Sequence, residues 1–210
     1  MNMYKKQRKT FLARWVALWL AALGMWSFAT LADAAENAVE GVEQVPQPPE
    51  GIAGEFPALS LAGAGDFDVL FWDVYTAALW APGGTWSPDD PYARAIRYER
   101  EFDGVAIAKR SIDEIKGLGI GDQAQHEDWL AKMKSLFPDV AEGDQLTGLY
   151  FPGEKAVFFR NDERIGSIDD PLFAEAFFGI WLNEKTSAPE LRERLLGMSG
   201  VNVQSASGAP

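Results

Sequence analysis

Residues 61–81 read LAGAGDFDVLFWDVYTAALWA, a Gly63-Ala64-Gly65 step followed by a long aromatic and aliphatic run. Short aromatic-rich runs bounded by turn residues are the mark of β-strands. The stretch therefore predicts strands over 67–72 and 74–80, with Gly63-Ala64-Gly65 as a tight turn leading into them from an earlier strand at 56–61. The glycines do not continue to a G-x-G-x-x-G ahead of a helix, and Asp66 would repel phosphate, so a nucleotide-cradling loop is excluded.

Further strand patterns lie at 94–102, 146–151 and 156–159. Pro152-Gly153 reads as a hairpin turn between the last two, and Asn161-Asp162 with Gly166 as further turn points. Helical patterns cover 105–116, 125–137, 171–182 and 189–198. Asp170 before Pro171 is an N-cap with proline in the first turn, and Ser187 with Glu190 fits a capping box. Gly197 or Gly200 can end the last helix in a left-handed conformation. Strands, two helices, a hairpin and two more helices make an α+β fold, with helices layered on one face of an antiparallel sheet.

The two ends differ in character from this core. Lys5, Lys6, Arg8, Lys9 and Arg14 precede an uncharged apolar run at 15–32, and Ala32-Asp33-Ala34 offers small residues where a signal peptidase reads. Residues 1–34 thus predict a signal peptide and a periplasmic or secreted protein; the alternative is an uncleaved anchor, since the apolar run is just long enough to span a bilayer. Residues 35–54 are acidic and hold Pro46, Pro48 and Pro49, which reads as a linker. Residues 55–200 form the domain, and 201–210 a small, polar tail.

Charge and composition narrow the chemistry. The chain carries a net charge of −12, and loss of residues 1–34 leaves fourteen basic against thirty acidic residues, about −16. Such a surface repels phosphate backbones and anionic headgroups, so nucleic acid is an unsuitable partner, and no membrane anchor remains after leader cleavage. Zero cysteines and a single histidine rule out thiolate and multi-histidine metal sites, and nothing implies a cofactor. His126 sits in a polar helical pattern beside Glu127 and Asp128, where an exposed helix histidine is the expectation. The acidic pairs Asp89-Asp90, Asp162-Glu163 and Asp169-Asp170 stand at turns, where carboxylates bond local backbone. Their spacing supports no glycosidase dyad.

Eight Trp and thirteen Phe are the remaining resource. Phe173, Phe177, Phe178 and Trp181 make the 171–182 helix apolar around most of its circumference, more than one buried stripe needs. An apolar cavity between helix and sheet would use the surplus. Alternation along 94–102 puts Arg94, Ile96, Tyr98, Arg100 and Phe102 on one face. Arg94 and Arg100 there suit an anionic ligand head below an apolar tail, or else reach water at the strand ends.

VYTAALWAP (residues 74–82), Glu142-Gly143-Asp144 ahead of LTGLYFPGEKAVFF, FAEAFFGIWL (173–182) and LRERLLG (191–197) together resemble the bacterial chalcone isomerase-like family. The resemblance spans roughly residues 59–198 and implies an open-faced β-sandwich, a large antiparallel sheet with helices on one side and a ligand cleft between the layers. In the plant isomerases of this fold an arginine just after the G-x-G turn steadies a phenolate, and hydroxyls on the next strand help polarise the ketone, which the resemblance implies for the matching positions. Here Asp66, Phe67 and Asp68 follow Gly65, so that arginine is missing, while Tyr75 or Thr76 falls at the hydroxyl position. A carboxylate near such a site would make a phenolate costlier.

The expectation is therefore an exported, non-catalytic domain that binds a small apolar or amphipathic ligand such as a fatty acid, with Thr76, Arg94, Tyr98 and Arg100 as ligand-binding residues. The alternative is an intramolecular lyase or isomerase with Tyr75 as catalytic proton donor and Arg100 as anion holder. A third reading, a non-catalytic partner in an envelope complex, predicts a large exposed apolar patch instead of an enclosed pocket.

Overall fold

The computed structural model describes residues 45–54, 56, 58–69 and 72–198. The predicted leader, residues 35–44 of the predicted linker and the predicted tail lie outside them. Six strands form one antiparallel sheet in sequence order, β1 (Leu59–Val69), β2 (Trp72–Pro82), β3 (Tyr92–Tyr98), β4 (Gln145–Phe151), β5 (Lys155–Arg160) and β6 (Glu163–Ile168). Helices α1 (Gly104–Leu118) and α2 (Gln123–Leu136) join β3 to β4, and α3 (Pro171–Leu182) and α4 (Pro189–Leu195) follow β6. The helices cover one face of the sheet, which is the expected α+β arrangement.

Local chemistry explains most element ends. Asp170 caps α3 by accepting from the amides of Leu172 and Phe173 at 3.0 and 3.1 Å, with Pro171 in the first turn. Gly153 turns β4 into β5 at φ 70°, and Gly197 follows α4 at φ 66°. Nine of the twelve α3 residues are buried, because the helix lies between the sheet and α1 and also touches α4. Its surplus apolar surface is spent on these neighbours as well as on a cavity.

Four expectations need correction. Gly63-Ala64-Gly65 is no turn: it runs inside β1, which pairs continuously with β2 apart from shifts at Leu61/Gly63 and Phe67/Asp68. The predicted box at Ser187 is absent, since the N-cap of α4 is Ala188, with no side-chain hydrogen bond, and the Ser187 hydroxyl donates to Glu114 at 2.8 Å. Gly166 lies within β6, opposite Phe158, in an edge strand too charged to read as one. Residues 45–54 are docked: Trp80 donates its indole N–H to the Pro46 carbonyl at 2.9 Å, and Ile52 buries with Phe56, Leu149 and Val157 on the sheet face away from the helices. Prolines that rule out regular pairing do not prevent packing, because a Pro with its φ fixed and its N–H gone still offers an apolar ring and a carbonyl acceptor.

Candidate functional site

The sheet's inner face and the helices enclose a cavity of about 470 Å³, within the range of small-molecule sites. Tyr75, Arg94, Ile96 and Tyr98 form its floor, and Phe177 and Trp181 of α3 lie above them. Arg110 and Glu114 of α1 and Ser187 line its solvent edge. Glu114 pairs with Arg110 and accepts from Ser187, so the lining's only carboxylate is already engaged.

Alternation along β3 aims Arg94 inward, opposite Leu79 on β2 and Gly148 on β4. Gly148 leaves room there, and Phe178 fills it: a Cβ at 148 would come within 2.9 Å of the Phe178 ring. Arg94 is 3% exposed, and its guanidinium carbon stands 3.4 Å from the Trp181 ring centroid and 5.4 Å from that of Phe177. Its Nε and Nη1 atoms are buried with no hydrogen-bond partner, and no ion pair involves it among the described residues. Burial pulls its pKa below the ordinary guanidinium range to about 10, against the opposing pull of Tyr98, Tyr75 and Tyr92, so the group stays cationic near neutrality.

Two hydroxyls accompany the cation. Tyr75 accepts from the Trp181 indole N–H at 2.9 Å, which leaves its own proton to donate elsewhere, and its ring stacks on Phe67 at 5.0 Å. Tyr98 lies against Tyr75 and Phe102 and makes no hydrogen bond through its hydroxyl among the described residues. Burial raises the pKa of both tyrosines, so they remain protonated donors. The inner cavity thus offers donors and a positive charge, with no free acceptor of opposite sign.

The predicted residues separate into two groups. Arg94, Tyr98 and Tyr75 come together in the cavity, whereas Arg100 and Thr76 do not. β3 ends at Tyr98 and the chain bends at 99–100, so alternation fails and Arg100 is exposed, while Phe102 returns to the cavity through a bridge to Val140. Thr76 faces the opposite side of the sheet, donating to Asp66 at 2.8 Å. Asp66 is exposed there, so it does not set the field of the cavity, contrary to the expected penalty. His126 is buried, with Nε2 2.8 Å from the Ile120 carbonyl, a structural role where an exposed one was expected.

Glu114 and the double role of Trp181 were not anticipated. The available signal for Trp181 was general, since a buried indole N–H needs an acceptor. Among the described residues, no cluster of acidic or histidine side chains could hold a metal, and no helix is long and apolar enough to cross a membrane. Exposed large apolar side chains there are Leu61, Val105 and Met198, which are separate in sequence and contrast with the mostly apolar lining of the cavity.

Comparison with known proteins agrees with the architecture. An uncharacterised protein of Haemophilus influenzae is 32% identical over 130 residues, covering 61% of this chain and 63% of that protein, so the match spans less than two thirds of its relative. The crystal structure of a fatty-acid binding protein of Arabidopsis thaliana aligns with a TM-score of 0.53 at 15% identity, over 71% of this chain and 95% of that one. At that identity the likeness is one of fold. The family described as chalcone isomerase-like matches residues 42–197, and the chain therefore belongs to the chalcone isomerase-like family.

Proposed function

We propose that this protein holds a small anionic amphiphile, a fatty acid or similar long-chain carboxylate, with its head at Arg94 and its tail along the aromatic cavity. The observation that carries this reading is the buried Arg94, whose Nε and Nη1 donors have no partner in a mostly apolar space. An uncompensated buried charge is costly, and a ligand carboxylate accepting along one edge of the guanidinium, from Nη2 together with either Nε or Nη1, offsets that cost. The cavity's apolar walls suit an alkyl chain. That a protein of the same fold is named for fatty-acid binding is consistent with this use.

The basic flank and apolar run of residues 1–32 support export of the unfolded chain to the periplasm or beyond, where it would fold and bind its ligand. A fusion of residues 1–40 to a reporter active only outside the cytoplasm tests that part; a silent reporter overturns it. Binding itself is tested by titrating fatty acids into lipid-stripped protein. The wild type should bind, and Arg94→Met should lose at least roughly tenfold in affinity. Fatty acids that leave the wild type unaffected, or bind Arg94→Met equally well, overturn the reading.

The Tyr75 hydroxyl beside Arg94 also suits an intramolecular lyase in which Tyr75 donates a proton and Arg94, in place of Arg100, holds an oxyanion. Turnover of a hydroxylated chalcone probe, abolished in Tyr75→Phe, would favour that reading; inert wild-type protein removes it for this substrate class.

A further inference from the structure

Trp181 touches both inner donors. Its ring lies 3.4 Å from the Arg94 guanidinium carbon, and its Nε1–H donates to the Tyr75 hydroxyl at 2.9 Å. The contacts differ in what they fix. A guanidinium carries its N–H donors around the rim of a plane, so an aromatic partner on its face holds the plane while leaving the rim open to an acceptor. The hydrogen bond to Tyr75 uses the phenol oxygen as acceptor, which sends the phenol's own proton in another direction.

Packing alone does not need this arrangement. Trp181 is buried on α3 one turn after Phe177, whose ring meets it edge-on at 5.7 Å, and a phenylalanine at 181 would also bury an aromatic face. Only an indole combines that face with an N–H placed to bond Tyr75. Both partners come from the sheet, Tyr75 on β2 and Arg94 on β3, so one helix residue sets the geometry of two strand residues.

Resting on the proposed binding of an anionic amphiphile, we infer that Trp181 is a positioning residue that makes Arg94 and Tyr75 a single preorganised receptor for a carboxylate head. Its contribution is selectivity for the charged head, separate from affinity for the alkyl tail. Preorganised donors gain more from an acceptor than mobile ones, because less freedom is lost on binding.

The test compares dodecanoate with dodecanol, which share a tail and differ in the head, on lipid-stripped full-length protein. Wild-type protein should prefer the acid. In Trp181→Phe the preference should fall by roughly tenfold, with dodecanol affinity changing less than about twofold. Equal losses for acid and alcohol would reduce Trp181 to a packing residue and overturn the inference, as would an unchanged preference. Should Trp181→Phe not fold, Trp181→Leu decides by the same readout: it keeps Arg94 and Tyr75 but gives up both indole contacts, so a reduced acid preference with little change for dodecanol supports the inference and an unchanged preference overturns it. Wild-type protein that binds neither probe, or binds both alike, overturns the binding reading itself, whereas a wild-type acid preference that survives Trp181→Phe removes only the role of Trp181.

Discussion

The Leu195 carbonyl oxygen lies so close over Gly63 that a Cβ on that glycine would sit 2.7 Å from it. Helix α4 therefore rests directly on β1, and Gly63 is required for close approach of two backbones where a turn was expected. Gly63→Ala should destabilise the protein by about 1–3 kcal/mol, because backbone cannot yield as a side chain does. Gly117→Ala is the control: that glycine is in α1 with nothing within 4 Å of its would-be Cβ, and the change should stabilise by about 0.5–1 kcal/mol. Urea midpoints of the two variants check both signs.

The buried Arg94 charge that the proposed binding would use also costs the fold stability. Its lowered pKa means that the folded state disfavours the charge, so the penalty is fully present at neutral pH and is relieved only as pH rises above about 10 toward the ordinary guanidinium range. Arg94→Met should therefore raise the stability of ligand-free protein at neutral pH by about 1–4 kcal/mol while removing fatty-acid binding. Urea unfolding with and without added fatty acid reads both effects; a destabilised ligand-free variant would contradict the account.

Asp170 gives the fold an acid-sensitive joint. Burial opposes its ionisation, but the Trp129 indole N–H at 2.8 Å and the Phe173 and Leu172 amides outweigh it and hold the pKa below the ordinary 3.8. Its contribution is thus fully present above about pH 4 and is lost as the pH falls through the depressed folded value. Asp170→Ala should cost about 1–2 kcal/mol at neutral pH, with the gap to wild type narrowing near pH 3. A gap that does not change with pH would contradict this.

Thr186 and Ser187 are adjacent but unequal. The buried Thr186 hydroxyl donates to the Ile180 carbonyl at 2.6 Å and accepts from the Ala188 amide at 3.1 Å, tying the end of α3 to the start of α4. Thr186→Val should cost about 1–3 kcal/mol, since it strands buried backbone groups, and Ser187→Ala less than about 0.5 kcal/mol. Thermal unfolding of the two variants gives the ranking.

These residues also show which parts of the molecule were legible in the sequence. The α3 boundaries at Pro171 and Leu182 matched because Asp170 and Pro171 act within one turn of the backbone they cap. Arg94 and Tyr98 were found by period-two alternation, which holds as long as the strand does; Arg100 was misplaced because the chain bends after Tyr98. Gly63 suits a turn or a close approach equally well, and the choice is made by Leu195, far along the chain. The same distance hid the double contact of Trp181, whose partners lie on β2 and β3. The docking of Pro46 against Trp80 was hidden because composition describes which backbone bonds are lost and not which surfaces remain to pack.

Binding of the proposed kind places a carboxylate head on Arg94 in the cavity. Native mass spectrometry of the protein as purified from cells, and again after addition of fatty acids, tests it most directly. The account predicts a noncovalent adduct of lipid mass on the wild type and its absence from Arg94→Met. Wild-type protein that emerges empty and takes up no added fatty acid would contradict it.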